Sequence, residues 1–121
     1  MLIHPNSKIY IHVEPTDMRK SFDSLAQLVQ LASLQDPLSG AWFLFRSKRG
    51  DRLKILYWDT DGYALWYKRL EVGTFEFPKW DPPQQSIEIS ARQLNLILSG
   101  IDLTARQRKR YSRPTTSANF P

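Results

Sequence analysis

The chain has 121 residues, of which 41% are hydrophobic and 24% charged, a composition typical of one soluble globular domain. No apolar run approaches the roughly 20 residues that cross a bilayer, and the N-terminus does not resemble a signal peptide, so we expect a cytoplasmic protein. The absence of cysteine excludes disulfides and thiolate zinc sites, and His4 and His12 have no neighbouring cluster of metal ligands. We therefore predict no metal and no cofactor.

The net charge of +5 is concentrated in two segments. Residues 46–54 carry five basic side chains and one acidic side chain, a charge of +4, and residues 101–121 have the same balance. The rest of the chain therefore carries −3. Clustered basic charge is typical of proteins that contact phosphate backbones, although charge alone provides affinity without reading a base sequence.

The first third of the chain predicts a strand and a helix. Lys8–Val13 is short and rich in β-formers, and a proline follows it, which indicates a strand. Between about Arg19 and Leu34 we predict one long amphipathic helix, because apolar residues recur there at spacings of three and four. The segment 36–40 contains Pro and Gly and ends that helix.

The segment 42–70 predicts a twice-folded antiparallel ribbon. Asp61-Gly62 is a favoured pair for a two-residue hairpin turn, and this turn would place Asp59 opposite Ala64 and Lys54 opposite Arg69. A five-residue loop, 47–51, would place Arg46 opposite Arg52. Like charges facing each other across strands repel, so a bound polyanion would relieve both pairs. Alternatively, these long side chains splay into water and cover apolar neighbours with their stems.

Alternation along these strands divides the ribbon into two faces. The predicted core face, which we expect the first helix to cover, consists of Phe43, Phe45, Leu53, Ile55, Tyr57, Ala64, Trp66 and Leu70. The other face combines basic and aromatic side chains, and consists of Trp42, Leu44, Arg46, Arg52, Lys54, Leu56, Trp58, Leu65, Tyr67 and Arg69.

The C-terminal part predicts two short strands, a helix and a tail. Residues 74–78 and Ser86–Ile89 have strand-like sequences, and a capping box at Ser90 with Gly100 as the stop predicts a helix over Ala91–Ser99. Residues 1–103 would thus form one α+β domain, an antiparallel meander of four to five strands with the long helix on one face. Residues 104–121 would form a basic, flexible tail.

Several stretches together resemble one known family. They are Thr16–Lys20 with Phe22, Asp23 and Leu25; Asp36-Pro37 and Ser39-Gly40; Phe43–Arg46; Arg49–Asp51; Lys54–Asp59 and Gly62; Lys68–Glu71 with Gly73 and Phe75; and Gln93–Leu98 with Gly100–Asp102. The chain resembles, from about residue 9 to residue 103, the second-reading-frame accessory proteins, often called TnpB, of the insertion sequence sixty-six (IS66) transposon family. The resemblance implies a bacterial accessory factor that acts in transposition beside a separate transposase, and it supplies no catalytic motif.

The sequence gives little support for an enzyme. Asp17, Asp51, Asp59 and Asp61 are each explained by a cap, a loop or a turn, and there is no glycine-rich phosphate loop or serine nucleophile motif. We predict instead that transposon DNA is bound by the basic and aromatic face. The residues predicted to contact DNA are Arg46, Lys48, Arg49, Arg52, Lys54, Arg69, Trp58 and Tyr67.

Two alternatives use the same face differently. In one, the protein is an adaptor without DNA affinity, and an apolar patch docks on the transposase of the same element or on a second copy. The residues of this patch would be Trp42, Leu56, Trp58, Leu65 and Tyr67. In the other alternative, the second helix or the tail covers the face, and Trp58 and Tyr67 belong to the core.

Overall fold

The computed structural model describes residues 6–100. This part of the chain contains five strands and two α-helices, and a π-helical turn, Val29–Ser33, follows the first helix directly. The elements are β1 Ile9–His12, α1 Phe22–Leu28, β2 Trp42–Arg46, β3 Arg52–Asp59, β4 Gly62–Arg69, β5 Ser86–Ile89 and α2 Ala91–Ser99.

The strands form one five-stranded sheet in the order β4-β3-β2-β1-β5. The α+β class is confirmed, but the prediction of a purely antiparallel meander is wrong, because β1 pairs with β2 in parallel. Parallel neighbours need a crossover of a dozen or more residues, and the segment between β1 and β2, which contains α1, supplies it. The other three strand pairs are antiparallel.

The predicted long helix is divided into several local structures. Residues 17–20 form a turn instead of helix, in which the Lys20 backbone N–H donates to the Asp17 carbonyl (3.1 Å) and the Arg19 N–H donates to Asp17 Oδ1 (2.9 Å). The α-helix begins only at Phe22, where the Ser21 N–H donates to Ser24 Oγ (3.0 Å). After the π-helical turn, Leu34 adopts a left-handed backbone with φ 53° and ends the helical segment.

The β3–β4 hairpin turns one residue earlier than predicted. Thr60 and Asp61 form the two-residue loop, Thr60 has a φ of 55°, and Asp59 pairs with Gly62. The predicted pairs Asp59–Ala64 and Lys54–Arg69 are therefore wrong, and the partner of Lys54 is Tyr67. Each β3 residue thus pairs with the β4 residue two positions before its predicted partner. This shift keeps every side chain on its predicted face, since side chains alternate with period two.

The β2–β3 hairpin differs from the prediction by one residue, and this changes the faces. Arg46 pairs with Leu53 and not with Arg52, because the Ser47 N–H donates to the Arg52 carbonyl (3.0 Å) and leaves four residues in the loop. A slip of one residue moves a whole strand to the opposite face relative to its neighbour. Phe43 and Phe45 therefore lie on the same face as Lys54, and Arg46 lies on the other.

Both faces of the sheet are covered by other parts of the chain. The face toward α1 packs against Leu25, Ala26 and Val29, and its central residues are Tyr10, Phe43, Phe45, Leu56 and Leu65. The face toward α2 packs against Leu94, Ile97 and Phe75, and its central residues are Ile9, Ile11, Trp42, Leu44, Leu53, Ile55 and Trp66. The face predicted to be open is thus divided: its β3 and β4 residues Leu56 and Leu65 are covered by the first helix, whereas its β2 residues Trp42 and Leu44 lie on the face toward α2.

The C-terminal elements follow the sequence closely. The predicted bounds of β5 and α2 are confirmed, as are the Ser90–Gln93 capping box and the left-handed stop at Gly100 (φ 77°). The predicted strand at residues 74–78 is wrong, because this segment is irregular, although Phe75 is fully buried. The proposed domain end at residue 103 and the flexible tail, 104–121, lie outside the described residues.

Candidate nucleic-acid interface

Basic side chains gather at one end of the sheet, where β2 and β4 end and β3 begins. Two backbone hydrogen bonds join the segments there: the Thr16 N–H donates to the Arg46 carbonyl (2.9 Å), and the Leu70 N–H donates to the Asp51 carbonyl (2.7 Å). We call this region the basic end. Its charged side chains are Arg19, Lys48, Arg49, Arg52, Lys68 and Arg69, with Asp17, Asp51 and Glu71.

The β2–β3 loop presents Lys48 and Arg49, which are both exposed. The loop closes through the Gly50 N–H, which donates to the Ser47 carbonyl (2.9 Å), and Gly50 has a φ of +80° that favours glycine. The Gly50 carbonyl in turn accepts from the Phe75 N–H (2.7 Å), so a buried residue anchors the loop. The two cations therefore project from a fixed backbone.

Arg52 and Arg69 form the one like-charge cross-strand pair that the actual register creates within the ribbon. Each has a neighbouring acceptor: Arg52 Nη1 donates to the Tyr67 hydroxyl (3.3 Å), and Arg69 Nη2 lies 2.9 Å from Glu71 Oε1. The hydrogen bond and charge of Glu71 raise the pKa of Arg69 further. Tyr67 is 47% exposed beside these cations, so three predicted site residues are brought together here.

Lys54, in contrast, is a buried structural residue with an exposure of 5%. Its ammonium donates to the Met18 carbonyl (2.8 Å) and to the Lys20 carbonyl (2.6 Å), and it lies 4.7 Å from the centroid of the Tyr67 ring. These contacts hold the 17–20 turn against β3. The interpretation of Lys54 as a residue on an open face is therefore corrected, because the chain before α1 covers it.

Arg46 is separated from the other predicted residues by the register of β2. It lies on the face toward α2, where Nη1 donates to the Phe75 carbonyl (2.8 Å) and the guanidinium lies 4.2 Å from the centroid of the Phe77 ring. Burial lowers the pKa of Arg46, and the charge of Glu76 opposes that shift. Arg46 thus attaches the irregular 75–77 segment to the sheet.

Trp58 lies near the other end of the ribbon. It lies six positions after Arg52 along β3, a distance of roughly 20 Å in an extended strand. Its ring packs edge-on against Tyr63, with 5.1 Å between centroids, and is half-buried. Trp58 therefore does not join the basic end. Five of the eight predicted residues lie there, and Arg46, Lys54 and Trp58 each lie elsewhere.

Sequence reasoning missed a cleft of about 390 Å³ at the basic end. One wall is the turn Thr16–Arg19, and the other is the β2–β3 loop with Arg52. Arg19 donates from Nε and Nη2 to the Asp17 carboxylate (2.8–3.1 Å), and these hydrogen bonds lower the pKa of Asp17 to about 2. The turn Thr16–Arg19 and the loop residues Arg49–Asp51 belong to stretches that carry the family resemblance, which was the available signal, but their spatial proximity depends on the fold.

Within residues 6–100, no group of three or more acidic or histidine side chains is arranged to hold a metal ion. In the same range, no helix has both the length and the apolar composition needed to span a membrane.

Comparisons with known proteins identify the family. A family model described as "IS66 Orf2 like protein" matches residues 7–108. Two relatives come from Sinorhizobium fredii and are named as uncharacterized proteins: y4jC is 39% identical over 111 residues (92% of this chain and 93% of the relative), and y4hO is 41% identical over 97 residues (80% and 83%). No solved structure matches the chain. The family is one of transposition-associated accessory proteins, and this chain belongs to the IS66 Orf2-like family.

Proposed function

We propose that this protein is a non-catalytic accessory factor of transposition that contacts the phosphate backbone of transposon DNA through the basic end. The observation that carries the proposal is the convergence of Lys48, Arg49, Arg52 and Arg69 on one end of the sheet. Two of these cations project from the loop, and the other two form a directly opposed pair. A polyanion would stabilise this arrangement, because each phosphate offsets the repulsion between neighbouring cations that the fold holds together.

The distribution of carboxylates also supports the proposal. The structure contains two ion pairs within residues 6–100, Arg19–Asp17 and Arg69–Glu71. Lys48, Arg49 and Arg52 have no ion-pair partner in that range and are available to phosphates. Tyr67 adds a half-exposed ring beside them, which could stack on an unpaired base near a transposon end. Lys54 and Arg46 are left out of this proposal because their charged groups bind backbone carbonyls.

The test is the salt dependence of binding to a duplex that carries the transposon end, measured by fluorescence anisotropy. Phosphate contacts with Lys48, Arg49 and Arg52, and with Arg69 in place of its ion pair with Glu71, predict a slope of log K against log salt of about −3 to −4. Replacing Lys48→Gln together with Arg49→Gln removes two contacts, and we expect the slope to become shallower by about 2 with little change in stability.

A matched control is available at the opposite end of the sheet. Lys8 precedes β1 and Arg92 lies in the first turn of α2, and the pairing of Ile9 with Ile89 places both at the end of the sheet away from the loop. Both side chains are exposed. Lys8→Gln with Arg92→Gln makes the same change in net charge, and we expect the slope to stay at its wild-type value. Equal slopes for both double variants would refute DNA contact at the basic end.

The second candidate function is an adaptor that docks on the transposase. The apolar patch predicted from the sequence is not formed, because Trp42 and Leu56 are buried. A different set of leucines favours an adaptor: Leu31, Leu34 and Leu38 are 72%, 86% and 52% exposed. This second function predicts co-purification with the transposase in high salt. The double variant Leu31→Asp with Leu34→Asp should abolish it, and the double variant Lys48→Gln with Arg49→Gln should leave it unchanged.

A further inference from the structure

The cleft at the basic end has the electrostatic character of an anion site. Four cationic side chains line it, and two carboxylates accompany them. Both carboxylates are already bound: Asp17 accepts from Arg19, and Asp51 Oδ1 accepts from the Ser47 hydroxyl (3.3 Å). The lining cations are Arg19, Lys48, Arg49 and Arg52.

Thr16 provides an independent sign of a missing ligand. It lines the cleft and is 5% exposed, yet its Oγ1 has no hydrogen-bond partner within the described residues. The backbone of Thr16 is fixed, since its N–H donates to the Arg46 carbonyl (2.9 Å). A buried hydroxyl without a partner is unfavourable, so an acceptor that binds in the cleft and displaces the atoms covering Oγ1 would satisfy a group that the fold leaves unpaired.

We propose that this cleft holds a single phosphate group, with the Thr16 hydroxyl as a donor and Lys48, Arg49 and Arg52 as counter-charges. Guanidinium groups match phosphate oxygens in geometry, and an ammonium supplies a compact charge beside them. None of the residues that line the cleft is aromatic, so the site suits the phosphate and not the base of a nucleotide.

The inference rests on the proposed function in taking DNA as the source of the phosphate. An internal phosphodiester and a terminal phosphomonoester share the chemistry that this cleft recognises. A terminal group carries more negative charge and can enter a cleft end-on, whereas an internal group enters with the strand on both sides. The two sources are therefore distinguished by comparing oligonucleotides of one sequence with and without a 5′-phosphate.

The experiment is a titration of the full chain with inorganic phosphate, followed by amide resonances in two-dimensional NMR. We expect the amides of Thr16 and Arg49 to shift with a common binding constant. Thr16→Val, which keeps the shape and removes the hydroxyl, should weaken phosphate binding about tenfold, the loss of one hydrogen bond to a charged group. Thr16→Ser, which keeps the hydroxyl, should bind within about twofold of wild type, and thermal melts confirm that both variants are folded.

Each outcome separates the inference from the proposed function. The phosphate site is supported if resonances at the cleft shift saturably with phosphate, if Thr16→Val weakens the affinity, and if Thr16→Ser retains it. This holds even if the wild-type protein does not bind DNA. Wild-type DNA binding with the predicted salt slope, together with no phosphate-induced shift at Thr16 or Arg49, would overturn the inference and leave the proposed function standing. Equal phosphate affinity of Thr16→Val and wild type would also overturn it.

Discussion

The β2–β3 loop and the interior of β3 contain the same kind of side chain in opposite situations. Lys48 lies on the loop and is exposed, whereas Lys54, six residues later, is 5% exposed and donates to two backbone carbonyls. Arg49 and Arg46 differ in a similar way, because Arg46 donates to the Phe75 carbonyl on the face toward α2. The segment 46–54 therefore contains both structural and available cations.

This contrast shows that a basic cluster in a sequence is not by itself a binding surface. A buried ammonium is stable only where donors and acceptors are matched, and the carbonyls of Met18 and Lys20 supply that match for Lys54. An exposed ammonium has no such requirement and can exchange water for phosphate at little cost. Burial, more than residue type, decides which cations of the segment are available to an anionic ligand.

The largest expected effect is that of Lys54→Met on stability. Methionine retains the apolar stem but leaves the two carbonyls without their donor, and we expect the free energy of unfolding to fall by about 2–4 kcal/mol. Urea unfolding monitored by tryptophan fluorescence measures this change. The slope of log K for DNA against log salt should stay unchanged under conditions where the variant is folded.

Lys48→Met is the matched control for that variant. Its side chain is exposed and, within residues 6–100, forms no hydrogen bond or ion pair that stabilises the loop, so the change in stability should lie within about 0.5 kcal/mol. The salt slope for DNA should become shallower by about 1. If both methionine variants unfold at the same urea concentration, the distinction between structural and available cations is wrong.

A smaller effect is expected from Gly50→Ala, which tests the backbone that presents Lys48 and Arg49. Gly50 has a φ of +80°, and an added Cβ would lie 3.3 Å from Cβ and from Cγ2 of Thr74. The left-handed conformation alone costs a residue with a side chain about 1–2 kcal/mol, and urea unfolding should report a loss of that size.

Gly62→Ala provides the comparison for the other hairpin. Its φ is not in the left-handed region, and a Cβ there would have no neighbour within 4 Å. We expect a change within about 0.5 kcal/mol, measured by the same unfolding experiment. A loss for Gly62→Ala as large as that for Gly50→Ala would show that the strain at Gly50 is not specific to the β2–β3 loop.

The elements that local sequence determines were predicted well. The bounds of β5 and α2, the Ser90 cap and the stop at Gly100 depend on interactions between residues close in the chain, and all were predicted correctly. The start of α1 was not, because the carbonyls of Met18 and Lys20 bind Lys54, which lies more than thirty residues away. A long-range contact of this kind leaves no periodic signal in the sequence.

The candidate site shows the same division between local and long-range information. The exposure of Lys48 and Arg49 follows from the loop that the sequence predicted. The open basic face did not form, because one residue fewer in that loop moved Arg46 to the other side relative to Lys54. The cleft between residues 16–19 and the loop required the parallel pairing of β1 with β2, which the sequence analysis did not predict.

The smallest expected effect concerns His12, a buried polar side chain that lacks the partners of Lys54. It is 9% exposed, and its Nδ1 has no hydrogen-bond partner within the described residues. Burial lowers the pKa of His12 below 6.5, and the charge of Glu14 only partly opposes this shift. The unfolded chain then binds the proton more readily than the folded chain, so stability falls as the pH is lowered through 6.5 toward the folded pKa.

His12→Phe removes this titration and keeps a ring beside Phe45, whose centroid lies 5.8 Å from that of His12. Urea unfolding at several pH values between 7.5 and 5.5 should give a declining free energy for the wild type and a flatter profile for the variant. Asp17 does not interfere, because its contribution is present above 3.8 and is lost only as the pH falls toward about 2. If the unfolding free energies of the two proteins depend on pH in the same way, burial without a partner does not make the stability of the fold depend on protonation of His12. The contrast with Lys54 would then concern hydrogen bonding alone.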